Sequence, residues 1–587
     1  MQAGPISQRI AKRAYWILRR EDRTPGRMPR RSTRPVGMLR LGPIAIVLLT
    51  VSLLLVGCSR SGSVAGHLTP ETLARFESTL EILREESRIP AISAAIVHDG
   101  ALVWSQGFGV SNLDLQTEAT AQTPYGLASL TKPFSAFLVM KLVEQGLLDL
   151  DAPIKNLGID LGNDRITTRH LLSHTSEGAA GSGYRYSGTR YAYLTRIIEQ
   201  LYGAPYRRVL RQEILEPLGM TDTALNIGGC GLEYYLSTLR PDDPERVFAH
   251  VYERLATPYQ YDPDYELYPV PVPTYANAAA GLISTAEDLA KLAIAIDQDE
   301  LVDADTKAAM FTPMRLTTGD DGPHGLGWFT ETYRGSKLIW HFGNGAYSSL
   351  FLMMPDEGLT FIVLGNTQNL SRPFGLGWGD VSVLISPFAL EFYKEFVLQP
   401  GYGTPLPEID WTADEDAVVE QLEKITDARL RELYENELWS YRKLHAGVGR
   451  YTLAHALLNV HTRAFPDADQ STRDLYEARR PTEQPSRQER VELTEGDAAR
   501  WTGTFRIRPA DTESGLPTEV EVRVLDGRVL AIPSDGSCQE YYPLGPTRLV
   551  ASDSPDILLV GALEDEPFDS FEIRVSGQTV ATYERIR

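Results

Sequence analysis

Apolar residues recur along the first half of the chain with two different periods. Between Glu71 and Glu86 they fall at Leu73, Phe76, Leu80 and Leu83, the spacing that lines one face of a helix. Residues 92–97 and 101–104 are instead short apolar runs on either side of Asp99-Gly100. Asp-Gly tolerates the positive φ angles of a tight reversal, so this stretch predicts a β-hairpin. Helical spacing returns over residues 135–147, 191–201 and 285–296, the last with Thr285 placed to cap it ahead of Asp288. Residues 338–340, 349–354 and 360–364 read as strands. Helix, hairpin, several helices, then strands is an α+β order. It predicts that the two ends of the segment share one antiparallel sheet while helices fill the middle.

Beyond this segment the pattern changes twice. Residues 401–415 are rich in Pro, Gly and Asp, which marks a boundary. Residues 416–478 look helical and charged, broken at Gly447-Val448-Gly449, somewhat like one helix-turn-helix unit of a tetratricopeptide array. From Trp501 the period becomes two, at Val520, Val522 and Val524, then Val529 and Ala531 after Asp526-Gly527, then Phe571, Ile573 and Val575. That alternation predicts a small all-β domain. The expected division is a main domain over 71–400, a helical linker region over 401–495 and a C-terminal β domain over 496–587.

The N-terminus reads as an address. Residues 41–56 form an apolar run behind Arg40, the length of a signal-peptide core and short for a membrane span. The run ends in Leu55-Val56-Gly57-Cys58, which resembles the bacterial lipobox. That resemblance implies a signal peptide over 1–57, lipidation at Cys58 and a tether over 59–70. The folded body is then extracytoplasmic and lipid-anchored, with Ser59 pointing to the periplasmic side of an outer membrane. The alternative is an uncleaved N-terminal membrane anchor.

Charge narrows the partners. Residues 1–57 carry eleven Arg or Lys against two acids, so a chain of net charge −21 leaves −30 on the remainder. Such an acidic body argues against nucleic acid as a partner. Three cysteines, Cys58, Cys230 and Cys538, make neither a disulfide framework nor a metal cluster. His170 and His174 have the four-residue spacing of zinc ligands on a helix, but no Glu lies between them to act as a base, and no metal or other cofactor is expected.

Chemistry concentrates in Tyr125-Gly126-Leu127-Ala128-Ser129-Leu130-Thr131-Lys132-Pro133-Phe134. Ser129 and Lys132 are three apart, which at a helix start places both on one face. A serine hydroxyl becomes a strong nucleophile only when a base removes its proton. Lysine can be that base only when burial or nearby positive potential keeps its amine neutral. Pro133 is compatible with a helix if it lies in the first turn.

Ser-x-x-Lys belongs to the motif set of penicillin-binding proteins and serine β-lactamases. Further stretches follow in that family's order: Leu171-Leu172-Ser173-His174-Thr175-Ser176, Tyr184-Arg185-Tyr186-Ser187-Gly188, Ala279-Ala280-Gly281-Leu282-Ile283-Ser284-Thr285, Gly325-Leu326-Gly327-Trp328 and His341-Phe342-Gly343. Over about residues 71–370 the chain resembles the β-lactamase-related family, in its class C and esterase branch. The resemblance implies a β-lactamase/transpeptidase-like domain, with an antiparallel sheet, helices on both sides and a helical subdomain. The C-terminal β domain is similar to the lipocalin-like domains attached to some relatives.

The resemblance also implies roles. Ser129 is the nucleophile, Lys132 its base, and Tyr186 a proton shuttle whose phenol is lowered in pKa by Lys132. The backbone N–H groups of Ser129 and Asn344 form the oxyanion hole. His341, Gly343 and Gly188 line the substrate site. His174 and Asp288 read as structural, a turn and a helix cap. Residues 228–273 are expected to cap the cleft. Two departures bear on substrate: Gly188 replaces the Asn of Tyr-x-Asn, and His341 replaces a Lys that pairs with a drug carboxylate. The expectation is an acyl-serine hydrolase acting on a small ester or a D-amino-acid amide or peptide of the envelope. The alternatives are a true β-lactamase or D,D-carboxypeptidase, and an inactive envelope-binding or sensor protein.

Overall fold

A computed structural model describes residues 68–587 except 228–234, 238, 242, 262–266, 274, 378–381, 399–408, 412, 426–434, 466–499, 508–518, 526–527, 534–538, 546–547, 552–553, 562–569, 576–577 and 586–587. Residues 1–67, with the apolar run over 41–56 and Cys58 on which the signal-peptide and lipidation expectations fall, lie outside the described residues, as do Cys230 and Cys538.

The predicted hairpin forms between β1 (Ala91–His98) and β2 (Ala101–Asn112), with Asp99 at φ 48° and Gly100 at φ 71°. These paired left-handed residues are what a two-residue turn requires. After the short β3 (Thr117–Glu118), the chain leaves the sheet for some two hundred residues. It returns as β4 (Phe329–Tyr333), β5 (Ser336–Asn344), β6 (Ser348–Met354) and β7 (Leu359–Gly365). The seven strands lie in the order β3-β2-β1-β7-β6-β5-β4, and every pair is antiparallel. The ends of the segment therefore do share one sheet, as the α+β order predicts.

Strand alternation sorts side chains onto two cores. On one face Ala95, Ile339, Phe351, Ile362 and Leu364 pack with the helix Thr131–Glu144, named α2 here, and the helix Ala286–Asp297, named α3. On the other, Leu350, Leu352, Phe361 and Val363 pack with α1 (Pro70–Glu86) and α4 (Pro387–Phe396). Thr69 caps α1 by accepting the Thr72 N–H, with Pro70 in the first turn, where its missing N–H leaves no gap. Phe76 of α1 then meets Phe361, Phe392 and Phe396 edge-on at 5.2–5.5 Å, so one aromatic ring joins α1, β7 and α4.

Thr285 caps α3 through the Asp288 N–H at 3.1 Å. Asp288 does more than follow a cap. Its buried carboxylate accepts the Asp222 N–H and the Thr223 hydroxyl, each at 2.8 Å, and meets Lys291 at 2.7 Å. It thereby pins a distant loop to the helix N-terminus.

The expected helical linker is not free-standing where it is described. Helices α5 (Glu415–Glu423), α6 (Glu435–Gly447) and α7 (Tyr451–Ala464) place Val418, Leu422, Leu438 and Leu457 in the same core as the outer sheet face. A single helix pair cannot bury its own face; here the sheet and α4 bury it. The C-terminal segment forms a closed barrel of eight sequential antiparallel strands, from Gly503–Ile507 to Gln578–Arg585. Phe505 meets Phe571 edge-on at 4.9 Å, and Phe571 stacks on Tyr583 at 5.2 Å, all three being buried.

Leu457 is fully buried in the outer-face core. Replacing it by Ala is expected to lower stability by about 2–5 kcal/mol and to move the urea midpoint of the sheet-containing domain. A midpoint that stays put, with only a separate early transition, would show that the helices fold apart from the sheet.

Candidate active site

Ser129 sits in a 3-10 turn, Ala128–Leu130, that runs directly into α2. Ala128 holds φ 46°, a left-handed conformation unfavourable for a residue with a Cβ. Thr131 braces the turn: its hydroxyl donates to Ala128 O at 2.8 Å and accepts the Leu282 N–H at 3.0 Å. Pro133 falls in the first turn of α2, where no intrahelical donor is lost.

Lys132 is the only charged residue in a stretch of α2 that is buried from Thr131 to Met140. Its Nζ lies 2.9 Å from Ser129 Oγ and donates to Ala279 O, also at 2.9 Å. Loss of water around the amine lowers its pKa from 10.5 to about 7. Near neutrality a large fraction of Lys132 is therefore an uncharged amine. One N–H is held by the carbonyl, leaving its lone pair free to take the Ser129 proton. The carbonyl comes from the Ala279-Ala280-Gly281 turn, where Gly281 is at φ +117° and a Cβ would stand 2.1 Å from Tyr275 O. Only glycine fits there. The role of Ala279 was not legible from side-chain chemistry, because a backbone oxygen supplies it.

Tyr186 joins the same site. Its ring lies 4.9 Å from Lys132 Nζ, and Tyr191, which donates to Lys132 O at 3.0 Å, places its ring 5.5 Å from the amine. The expected lowering of the Tyr186 pKa does not occur. Burial pushes the phenol above its usual 10, and the nearby Ser129 hydroxyl only partly offsets this. Tyr186 is therefore a neutral phenol, able to pass a proton on but not to stand as a phenolate. Its hydroxyl is buried, and the group it faces is the Ser129 hydroxyl.

Strand β5 ends beside Ser129. Gly343 is essential to that approach: a Cβ there would lie 2.0 Å from Leu127 O and 2.4 Å from Ser349 Oγ, which itself donates to Leu127 O at 2.9 Å. Asn344, the last residue of β5, follows immediately and pairs with Ser348 across the turn. The sequence-predicted pair Ser129 and Asn344 is thus brought to one rim by a glycine contact. Gly188 opens the helix Gly188–Ala192 behind the Ser187 cap, and a Cβ on it would meet nothing within 4 Å.

His341 does not provide a positive charge. It is fully buried, its Nδ1 accepts the Phe342 N–H at 2.8 Å, and burial holds its pKa well below 6.5. A role in pairing with a substrate carboxylate is incompatible with this neutral, enclosed ring. His324, which the sequence reading passed over, is also buried, with its pKa near 3 and its ring 6.0 Å from His341. No motif signals it, since it is a lone histidine in a glycine-rich stretch. His170 and His174 do not form a zinc pair. The helix carrying His170 is only Thr168–Leu172, and His174 lies beyond it at φ 55°. Among the described residues no group of three or more His, Cys, Asp or Glu could hold a metal ion.

Next to Ala128 a cleft opens between Asn226, Val272, Tyr275, Gly281 and Ala346. Among the described residues none of its lining side chains is charged. Val272 and Pro273 come from the segment expected to cap the cleft, and they border it.

A family model described as Beta-lactamase matches residues 73–380. Penicillin-binding protein 4* of Bacillus subtilis (strain 168) is 25% identical over 316 residues, covering 46% of this chain and 66% of that protein. Unguisins hydrolase ungD' of Aspergillus campestris (strain IBT 28561) is 24% identical over 351 residues, 51% of this chain and 62% of that protein. The match thus spans just under two thirds of these relatives' own length. Among solved structures, the octameric penicillin-binding protein homologue from Pyrococcus abyssi is 19% identical with a TM-score of 0.46, covering 87% of this chain and all of that one. With the family model spanning residues 73–380 of 587, the chain belongs to the Beta-lactamase family of serine hydrolases.

Proposed function

We propose that this chain is an acyl-transferring serine hydrolase acting on small uncharged esters or D-amino-acid amides. The observation that carries the reading is the buried Lys132 amine, 2.9 Å from Ser129 Oγ and with its pKa brought down to about 7. Lys132 takes the Ser129 proton as Oγ bonds to the acyl carbon. The N–H groups of Ser129 and Asn344 receive the oxyanion, a contribution of roughly 3 kcal/mol for each donor. The carbon–oxygen or carbon–nitrogen bond to the leaving group then breaks. The leaving atom takes the Tyr186 hydroxyl proton, which the Lys132 ammonium replaces. Water cleaves the acyl-Ser129 ester by the reverse relay.

The uncharged cleft and the neutral His341 favour this substrate class over β-lactams and C-terminal peptides, whose carboxylates call for a cation. We place the enzyme outside the cytoplasm, tethered by a lipid on Cys58 and facing envelope substrates; the apolar run before Cys58 supports this.

A p-nitrophenyl acyl ester is expected to give a burst of chromophore that S129A abolishes. A fluorescent penicillin offered in parallel should label Ser129 far more slowly. Equal turnover by S129A would remove Ser129 as the nucleophile, turnover no faster than the protein-free background would leave an inactive binding protein, and penicillin labelling as fast as ester acylation would restore the β-lactamase reading. Because the lysine pKa is lowered, the uncharged base is present above about pH 7 and lost below it. Acylation rates should fall about tenfold per pH unit below about 7 and level off above it, and a flat profile from pH 5 to 9 would exclude Lys132 as the base. C58A is expected to move the protein from the membrane to the soluble fraction, read by fractionation of expressing cells. Retention at the membrane would favour an uncleaved anchor.

A further inference from the structure

His174 has no part in the proton transfers above, yet it holds Tyr186 in three separate ways. Its carbonyl accepts the Arg185 N–H at 2.8 Å. Its Nδ1 accepts the Ser187 N–H at 3.1 Å. The residues on both sides of Tyr186 are thus tied to one histidine. Its imidazole then lies against the phenol, with ring centroids 4.3 Å apart and planes tilted by 31°. The opposite neighbour, Tyr191, stacks at 5.2 Å and is itself bonded to Lys132 O.

Tyr186 needs such support. A buried tyrosine is normally oriented by a hydrogen bond at its tip, but the group at the Tyr186 tip is the Ser129 hydroxyl, whose own proton moves in the reaction. Its direction has to be held through the turnover by what touches its faces. Phe342 and Phe329 stand farther off, at 5.8 and 6.1 Å, which leaves His174 as the nearest ring. His174 also occupies a left-handed backbone conformation at φ 55°. Glycine or asparagine would fit that turn with less strain. A residue serving only the turn has no need of an imidazole, whereas one bracing a phenol needs a flat face and an acceptor. The ring is fully buried and held neutral, well below pKa 6.5, so it serves as shape and acceptor and not as a charge.

We propose that His174 is a positioning residue for the Tyr186 proton shuttle, clamping the backbone at Arg185 and Ser187 and bracing the phenol over Lys132. The inference rests on the hydrolase reading above.

The test is a double-mutant cycle on p-nitrophenyl ester turnover with wild type, H174N, Y186F and the H174N/Y186F double variant, and S129A as a reference. Asparagine suits the left-handed backbone, so H174N should still unfold in one cooperative transition, at a midpoint lowered by the lost ring packing. Its kcat should fall roughly 10- to 100-fold, with KM changed far less, because the phenol and not the substrate is displaced. In the Y186F background the same substitution should change kcat less than about twofold, since it acts through the missing hydroxyl. Additive losses in the double variant, or an H174N kcat within about twofold of wild type, would overturn the proposal. If H174N does not fold, H174G takes its place with the same expectations, because glycine removes the backbone strain outright. S129A and Y186F turning over like wild type would sink the hydrolase reading itself. Both inactive beside a fully active H174N would sink only the role of His174.

Discussion

A lysine amine stripped of water is the feature on which the active site depends. In water the Lys132 ammonium would be a poor base and its charge would be strongly solvated. Enclosed in α2, it loses that solvation, and the uncharged form becomes accessible near neutrality. The cost of burying such a group is tolerable because two partners remain, Ala279 O and Ser129 Oγ. Among the described residues none adds a counter-charge that would restore the ammonium. The nearby His174, His324 and His341 rings are neutral, and the adjoining tyrosines remain phenols. A buried carboxylate beside the amine would undo the arrangement.

The fold supplies this environment by bringing together parts far apart in sequence. The 3-10 turn with Ser129, the loop with Ala279 and the end of β5 meet only because the sheet closes between N-terminal and C-terminal strands. Two glycines permit the approach: Gly281 lets its turn pass Tyr275, and Gly343 lets β5 lie against Leu127. At both places backbone meets backbone at distances that exclude any side chain, so the constraint is steric and local.

Much of this was readable in the residues. Helical spacing marked α1 and α3, and short continuous apolar runs marked the hairpin at Asp99-Gly100 and the returning strands, because β6 and β7 are buried on both faces and the turn and cap residues are recognisable. Ser129, Lys132 and Tyr186 could be named from spacing and family resemblance, and the structure brings them together. The rest escaped for identifiable reasons. The Tyr186 pKa depends on burial, which a sequence does not display, and desolvation outweighs the neighbouring amine. His341 was read as lining the substrate site; that its ring is neutral and enclosed beside Tyr186, Phe329 and Phe342 depends on packing that a sequence does not display. Ala279 acts through a carbonyl common to every residue. The helices α5, α6 and α7 looked like a linker because their burial comes from a sheet face supplied by other parts of the chain.

The C-terminal barrel carries a consequence of its own. Each of its eight strands has a hydrogen-bonded neighbour on both sides, including the first and last, where Phe505 pairs with Arg585. A closed ring of strands exposes no ladder of unpaired amides and carbonyls. Another polypeptide cannot extend it by adding a strand. Any contact this domain makes with another chain has to go through side chains and not through strand pairing.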